Sequence, residues 1–141
     1  MPGLIDDLKN DHQLILHILD EVKKFGISGS IGREKLLSAK ALLLSHIRKE
    51  DELFYPALHQ AAEQSSGLRN TLQYFSEDME RVSRTAMDLF DKYAGGDSSE
   101  DFSGEITLLY MTLKDRIRTE EDVLFRKFEQ GEREKKDPGR P

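Results

Sequence analysis

Apolar residues recur at every third or fourth position through four long segments of this chain. That spacing matches the turn of an α-helix, about 3.6 residues, and places the apolar side chains on one face. The pattern predicts helices over residues 4–25, 33–62, 68–94 and 102–128. The connections between them are short, so consecutive helices should run antiparallel. The sequence therefore predicts an all-α fold, an up-down-up-down antiparallel four-helix bundle formed by residues 1–128.

The predicted second helix has a proline near its end. Its predicted buried face follows Leu36, Ala39, Leu43, His46, Glu50, Leu53 and Ala57. Pro56 lacks a backbone hydrogen-bond donor, and such a residue breaks or kinks a helix. We therefore expect a kink one to two turns after Glu50.

Five polar side chains stand among the apolar ones near the middle of these faces: His12, His46, Glu50, Arg116 and Glu120. The middles of antiparallel helices lie at one level of a bundle, so these groups can meet in the core. A single buried histidine is usually a hydrogen-bonded core residue, and Arg116 with Glu120 could be an ordinary ion pair along one helix. Five such groups at one level instead favour a polar site, because buried charges are costly unless they are paired or bind a metal.

The chain repeats part of its second helix in its fourth. Residues from His46 read HIRKEDELF, and residues from Arg116 read RIRTEEDVLF. Both copies place an ionisable residue four positions before a glutamate. His46 therefore shares a helical face with Glu50, and Arg116 shares a face with Glu120 on the other helix.

A weaker echo links the first and third helices. DHQLI around His12 corresponds to DMERV around Met79. The repeat indicates two helical hairpins that direct polar groups to a shared core. Only the first hairpin has kept its histidines.

Two imidazoles and two carboxylates form a common ligand set for a divalent transition metal. The candidate ligands are His12, His46, Glu50 and Glu120. Met79 offers only a thioether, and methionine at helical core spacing usually serves packing, so we assign it to packing. His17 and His59 lie off the buried faces and should be surface residues.

These residues resemble the hemerythrin-like (HHE cation-binding) domain family, whose four-helix bundle holds a non-haem di-iron centre. The motifs that carry the resemblance are DHQLI around His12, HIRKE from His46 to Glu50, the following ELFYPAL and the acid at Glu120. The resemblance implies a hemerythrin-like bundle in which His12 and His46 are terminal ligands. It implies that Glu50 and Glu120 are the bridging carboxylates.

The chain departs from the family pattern at two positions. Met79 and Arg116 stand where the family has histidines on its third and fourth helices. Because a guanidinium cannot ligate a metal, the second iron lacks its nitrogen ligands. We expect Arg116 to replace the missing ion as a fixed cation, hydrogen-bonded to one or both of Glu50 and Glu120.

Oxygen carriage, as performed by the family's respiratory members, needs two irons. We therefore favour a metal-binding protein with at most one well-formed site, serving sensing or metal handling, and we favour this interpretation over an enzyme. The expected cofactor is one iron ion, with zinc, manganese or no metal as the alternatives, and the expected small-molecule partner is dioxygen or another diatomic. One alternative is a metal-free interaction or signalling module on a degenerate hemerythrin scaffold. The other is a mononuclear non-haem iron enzyme, for which the sequence shows no substrate pocket or base.

The composition of the chain limits its number of domains, its possible metal ligands and its possible partners. The 141 residues suit one domain, and the absence of cysteine excludes disulfides and thiolate metal sites. A net charge of −6 argues against a nucleic-acid partner. The chain shows no signal peptide and no apolar run of the roughly 20 residues that span a membrane, so we expect a cytoplasmic protein without a membrane partner. Residues 129–141 are strongly charged, and we expect them to form a disordered tail.

Overall fold

A computed structural model describes residues 3–94 and 101–136 of the chain. These residues form four helices and no strand. The first helix is Leu4–Phe25 and the third is Ser66–Ala94. The second helix consists of Ser30–Lys49, a π-helical turn at Glu50–Phe54, and Tyr55–Ala62. The fourth helix consists of Phe102–Thr119, a π-helical turn at Glu120–Phe125, and Arg126–Lys136. The first helix packs against the second and the fourth, and the third helix also packs against both. The predicted all-α four-helix bundle is confirmed.

The bundle core consists of two apolar clusters. One surrounds Leu19, Leu36, Phe90 and Ile106, and the other surrounds Leu8, Phe54, Leu72 and Phe125. Along the first helix, His12 lies between Leu8 of one cluster and Ile15 of the other. The buried histidines and glutamates therefore form a polar layer with an apolar cluster on each side.

Two π-helical turns change which residues face the core. The sequence predicted that Leu53 and Ala57 are buried, but Leu53 is 56% exposed, whereas Phe54 and Leu58 are 0% and 1% exposed. A π turn spans one residue more than an α turn, so the buried face after Glu50 moves forward by one position. The prediction for these two residues was wrong for that reason.

Pro56 does not break the second helix. It lies in the first turn of the segment Tyr55–Ala62, just after the π turn, where a missing backbone N–H does little harm. The fourth helix makes the same kind of turn at Glu120–Phe125 without a proline. Proline is therefore not needed for the π turn, which instead accompanies the repeated sequence.

The fourth helix continues beyond the expected end of the bundle. We predicted disorder from residue 129, yet the segment Arg126–Lys136 is helical. Its glutamates, arginine and lysines are good helix formers, and the ordered turn before them supplies the helix nucleus. The rest of the predicted tail, residues 137–141, lies outside the described residues.

Gly32 fixes the close approach of the second helix to the end of the first. A Cβ atom on Gly32 would lie 1.5 Å from the carbonyl oxygen of Gly26, which itself has a φ of 71°. We expect Gly32→Ala to lower the free energy of unfolding by about 2 kcal/mol, because backbone atoms must move. Gly104→Ala is the control, since nothing lies within 4 Å of its Cβ position. Chemical denaturation should show a small gain for the control, and equal effects would refute the close contact.

No helix within the described ranges is long and apolar enough to cross a bilayer.

Candidate metal centre

Four side chains from three helices meet in the polar layer. His12 comes from the first helix, His46 and Glu50 from the second, and Glu120 from the fourth. Each is 2–3% exposed, and each offers one ligand atom within 4.8 Å of the others. The structure thus brings together the four residues that the sequence singled out as ligands.

The second and fourth helices present their glutamates in the same way. Glu50 and Glu120 are each the first residue of a π-helical turn. The amides of both residues still bond to carbonyls of the preceding α turn. The widened turn therefore begins at the residue that faces the cluster. π-Helical turns often occur at functional sites, where they redirect a side chain.

The distances within the cluster suit ligands of a shared ion. Nε2 of His46 lies 2.7 Å from Oε1 of Glu50, and Nε2 of His12 lies 3.4 Å from Oε1 of Glu120. Nε2 of His46 nevertheless has no partner in hydrogen-bonding geometry. Two ligands that each lie about 2.1 Å from one ion are separated by about 3 Å without pointing at one another. The four residues therefore form a group that could hold a metal ion.

Both imidazoles are held by carboxylates on their outer side. Nδ1 of His12 lies 2.8 Å from Oε2 of Glu121, and Nδ1 of His46 lies 3.0 Å from Oδ2 of Asp11. A proton on each Nδ1 can be donated to these carboxylates, which leaves Nε2 as the ligand atom. Carboxylate–histidine pairs of this kind orient the ligands of metal sites.

The sequence reasoning missed these two carboxylates. Each directly precedes or follows a ligand in the chain, which is the signal that could have identified them. Lys49 donates a hydrogen bond of 2.9 Å to the same oxygen of Asp11 that faces His46. Burial raises the pKa of Asp11, but the hydrogen bonds from His46 and Lys49 outweigh it and leave that pKa lowered.

The two buried glutamates differ in their preference for a proton. Burial, followed by the proximity of Glu120, raises the pKa of Glu50 to about 10. Burial also raises the pKa of Glu120, but the neighbouring side chains of His12 and Glu50 outweigh burial and lower it. These directions favour the protonated form at Glu50 and the carboxylate at Glu120.

Arg116 does not contact the glutamates as predicted. Its Nε lies 2.8 Å from Oδ2 of Asp78 on the third helix, and its guanidinium stacks 4.9 Å from the centre of the Phe75 ring. The contact with Asp78 is an ion pair and not a hydrogen bond, because Nε of Arg116 has no partner that meets hydrogen-bond geometry. The long arginine side chain reaches a carboxylate beside the cluster, so its charge is neutralised there. The expected hydrogen bond to Glu50 or Glu120 was wrong.

Met79 borders a pocket and belongs to neither apolar cluster. The pocket has a volume of about 420 Å³ and lies between the second and third helices, with Glu50 and Tyr55 also on its wall. Ser76 and Ser83 share the Met79 face of the third helix and are too small to fill this space. The sequence did not reveal this pocket, and the assignment of Met79 to packing stays a prediction.

The remaining two histidines lie outside the cluster, as predicted. The side chain of His17 is 69% exposed and lies 3.3 Å from Glu21 along the same helix. His59 is exposed and lies on the pocket wall.

A sequence model of a known family matches most of the chain. The hemerythrin HHE cation binding domain matches residues 3–128. The chain belongs to the hemerythrin HHE cation-binding family. No curated protein and no solved structure matches it. Within this hemerythrin-like domain, the buried histidine and glutamate cluster is a group that could hold a cation.

Proposed function

We propose that this hemerythrin-like domain binds one transition metal ion per chain through His12, His46, Glu50 and Glu120, and that the ion is iron. The observation that carries the proposal is the convergence of four buried ligand atoms within 4.8 Å. Imidazole nitrogen and carboxylate oxygen together suit iron, although zinc and manganese accept the same atoms.

The neighbourhood of this cluster argues against a second ion. Met79 and Arg116 stand at the positions where the family supplies further histidines, and neither provides a nitrogen ligand. Arg116 is also held by Asp78 and Phe75, so its cation stays beside the cluster. A second divalent ion would therefore gain no nitrogen ligand from either position.

The proposed role is sensing or metal handling. An iron ion at this site would supply one-electron redox chemistry and a position for dioxygen or another small diatomic ligand. The chain's own residues fix the ion's environment, because Asp11 and Glu121 orient the imidazoles and an apolar cluster lies on each side of the polar layer. A sensor or metal carrier needs one ion that binds selectively, which such a preorganised site favours.

A second candidate is a mononuclear non-haem iron enzyme. It gains support from the pocket of about 420 Å³ whose wall includes Glu50, because a substrate there would lie beside a ligand of the ion. The metal-free interaction module remains the third candidate, and it predicts that the purified chain takes up no metal.

Metal stoichiometry tests the proposal. The untagged protein is stripped of metal, loaded anaerobically with ferrous iron, desalted and analysed for iron per chain. We expect one iron per chain, and less than about a tenth of that after His46→Ala, since each imidazole is a major ligand. Two irons in the parent protein would refute the one-ion assignment. No iron in the parent protein would support the metal-free module.

The double variant Met79→His with Arg116→His should increase the iron content from one toward two per chain. A histidine at position 116 would stand before Glu120 as His46 stands before Glu50, and a histidine at 79 would face the pocket beside Glu50. The variant also removes the fixed cation. The control makes the same substitutions at Met111 and Arg118, which are exposed. An equal gain in the control would indicate non-specific uptake by added histidines.

A further inference from the structure

The pocket between the second and third helices has a defined lining. Its wall includes Ile47, Glu50, Asp51, Tyr55, Met79 and Glu80. Glu50 is buried, whereas Asp51 and Glu80 are exposed. The pocket therefore extends from the surface to the polar layer.

Its size exceeds what a diatomic ligand needs. The volume is about 420 Å³. One water molecule takes up about 30 Å³ of liquid, and sites for small organic ligands typically measure about 300–1,000 Å³. The space therefore suits an organic molecule, which distinguishes it from a channel for dioxygen.

The lining favours positive charge on that molecule. Two exposed acids, Asp51 and Glu80, lie on its wall, and neither lysine nor arginine is among the residues there. Glu80 also pairs with Arg84 at 2.9 Å, so its charge is partly satisfied, whereas Asp51 contacts no arginine or lysine among the described residues. An anion here would meet carboxylates without a compensating cation.

Other parts of the wall can receive the remainder of the molecule. Ile47, Met79 and the Tyr55 ring offer apolar surface, and an aromatic face also attracts an ammonium group. The Tyr55 hydroxyl is buried and has no hydrogen-bond partner among the described residues. A buried hydroxyl without a partner is unusual in a folded protein, and a bound polar group would satisfy it.

We propose that this pocket binds a small organic cation, a primary amine carried on an apolar body, next to the glutamate that faces the metal cluster. The ammonium group is held by the acidic side chains, and the body lies against Ile47 and Met79. The proposal goes beyond metal binding and does not depend on it, because Ile47, Asp51 and Tyr55 on the pocket wall are not among the proposed metal ligands.

Three probes of similar size and different charge test the class of ligand. Benzylamine, benzyl alcohol and benzoate are titrated separately into the full chain, and the Ile47 methyl signal is followed by nuclear magnetic resonance. We expect saturable binding of one benzylamine per chain, at least about tenfold tighter than benzoate, with benzyl alcohol between them. Benzoate binding as tight as benzylamine, or no saturable benzylamine binding up to about 20 mM, would overturn the proposal.

Two matched pairs of variants locate the binding. Met79→Trp fills the pocket and should weaken benzylamine binding at least about tenfold, whereas Met111→Trp, at an exposed methionine, should not. Asp51→Asn should weaken it about threefold, whereas Glu52→Gln, at an exposed acid off the pocket wall, should not. Unchanged binding in Met79→Trp would place the probe elsewhere and overturn the proposal.

Each titration is repeated with metal-stripped and with iron-loaded protein. We expect benzylamine to bind both forms. If the stripped protein binds benzylamine but takes up no iron, the one-ion proposal is refuted and the proposed amine pocket is supported. A normal iron titration without benzylamine binding in either form would refute the pocket alone.

Discussion

We expect Glu50→Gln to stabilise the metal-free protein and to abolish the proposed binding of iron. In the folded protein, burial and the nearby Glu120 raise the pKa of Glu50 from 4.5 to about 10. Glu50 therefore keeps a proton that the unfolded chain releases once the pH exceeds 4.5. The contribution of this group to stability is complete below that pH and is lost progressively as the pH rises toward 10.

Glutamine is neutral at every pH, so the Glu50→Gln variant does not lose stability in this way as the pH rises. We expect the variant to raise the free energy of unfolding by about 1–3 kcal/mol at pH 7, and by more at pH 9 than at pH 5. Because an amide is a poor metal ligand, iron affinity should fall by at least about a thousandfold. Urea denaturation of stripped protein at the three pH values and iron titration provide the measurements.

Glu120→Gln is the matched control for the first prediction. Burial raises the pKa of Glu120, but the neighbouring side chains of His12 and Glu50 outweigh burial and lower it, which favours its carboxylate form. Replacing it removes a charged acceptor from a buried network and should destabilise the stripped protein by about 1–3 kcal/mol. The two isosteric changes thus act in opposite directions on stability, and both remove metal binding. Stability changes of the same sign would show that the proton is not on Glu50.

Replacement of the carboxylates behind the histidines weakens metal binding without removing a ligand. Asp11 and Glu121 accept hydrogen bonds from Nδ1 of His46 and His12 at 3.0 and 2.8 Å. Loss of such a partner typically lowers metal affinity about 10–100-fold, because the imidazole loses its orientation and some basicity. We expect Asp11→Ala and Glu121→Ala each to lower iron affinity within that range while one iron still binds per chain.

Asp122→Ala is the control for this second prediction, because Asp122 is exposed and neighbours Glu121 in the chain. Competition with a chelator of known affinity measures the change in each variant. An equal loss of affinity in the control would indicate a general effect of removing negative charge. Unchanged affinity in both Asp11→Ala and Glu121→Ala would mean that the imidazoles are oriented by other contacts.

The apolar periodicity was sufficient to predict the bundle. The first helix buries the six residues of its predicted stripe, Ile5, Leu8, His12, Ile15, Leu19 and Val22. A regular helix repeats one geometry, so spacing along the chain determines which side chains share a face. The same reasoning identified His12, His46, Glu50 and Glu120, because polar residues in an apolar stripe must be satisfied by one another or by a ligand.

The sequence could not determine the features that depend on other helices. The π turn moved burial from Leu53 to Phe54, since local spacing does not reveal where a helix widens to fit its neighbours. Arg116 pairs with Asp78 because its long side chain reaches an acid on another helix that folding brings near. Spacing along one helix suggested only its own glutamate.

The sequence by itself thus predicted the bundle and the four residues of the buried cluster, since these follow from helical period. It also indicated the family, through the resemblance of its motifs. Only the tertiary structure decided which glutamate favours the protonated form, which carboxylates orient the imidazoles, and that a pocket lies beside Met79. Electrostatic shifts and cavities depend on distances between groups that are far apart in the chain. His12 and Glu121, for example, are 109 positions apart in sequence and 2.8 Å apart in the fold.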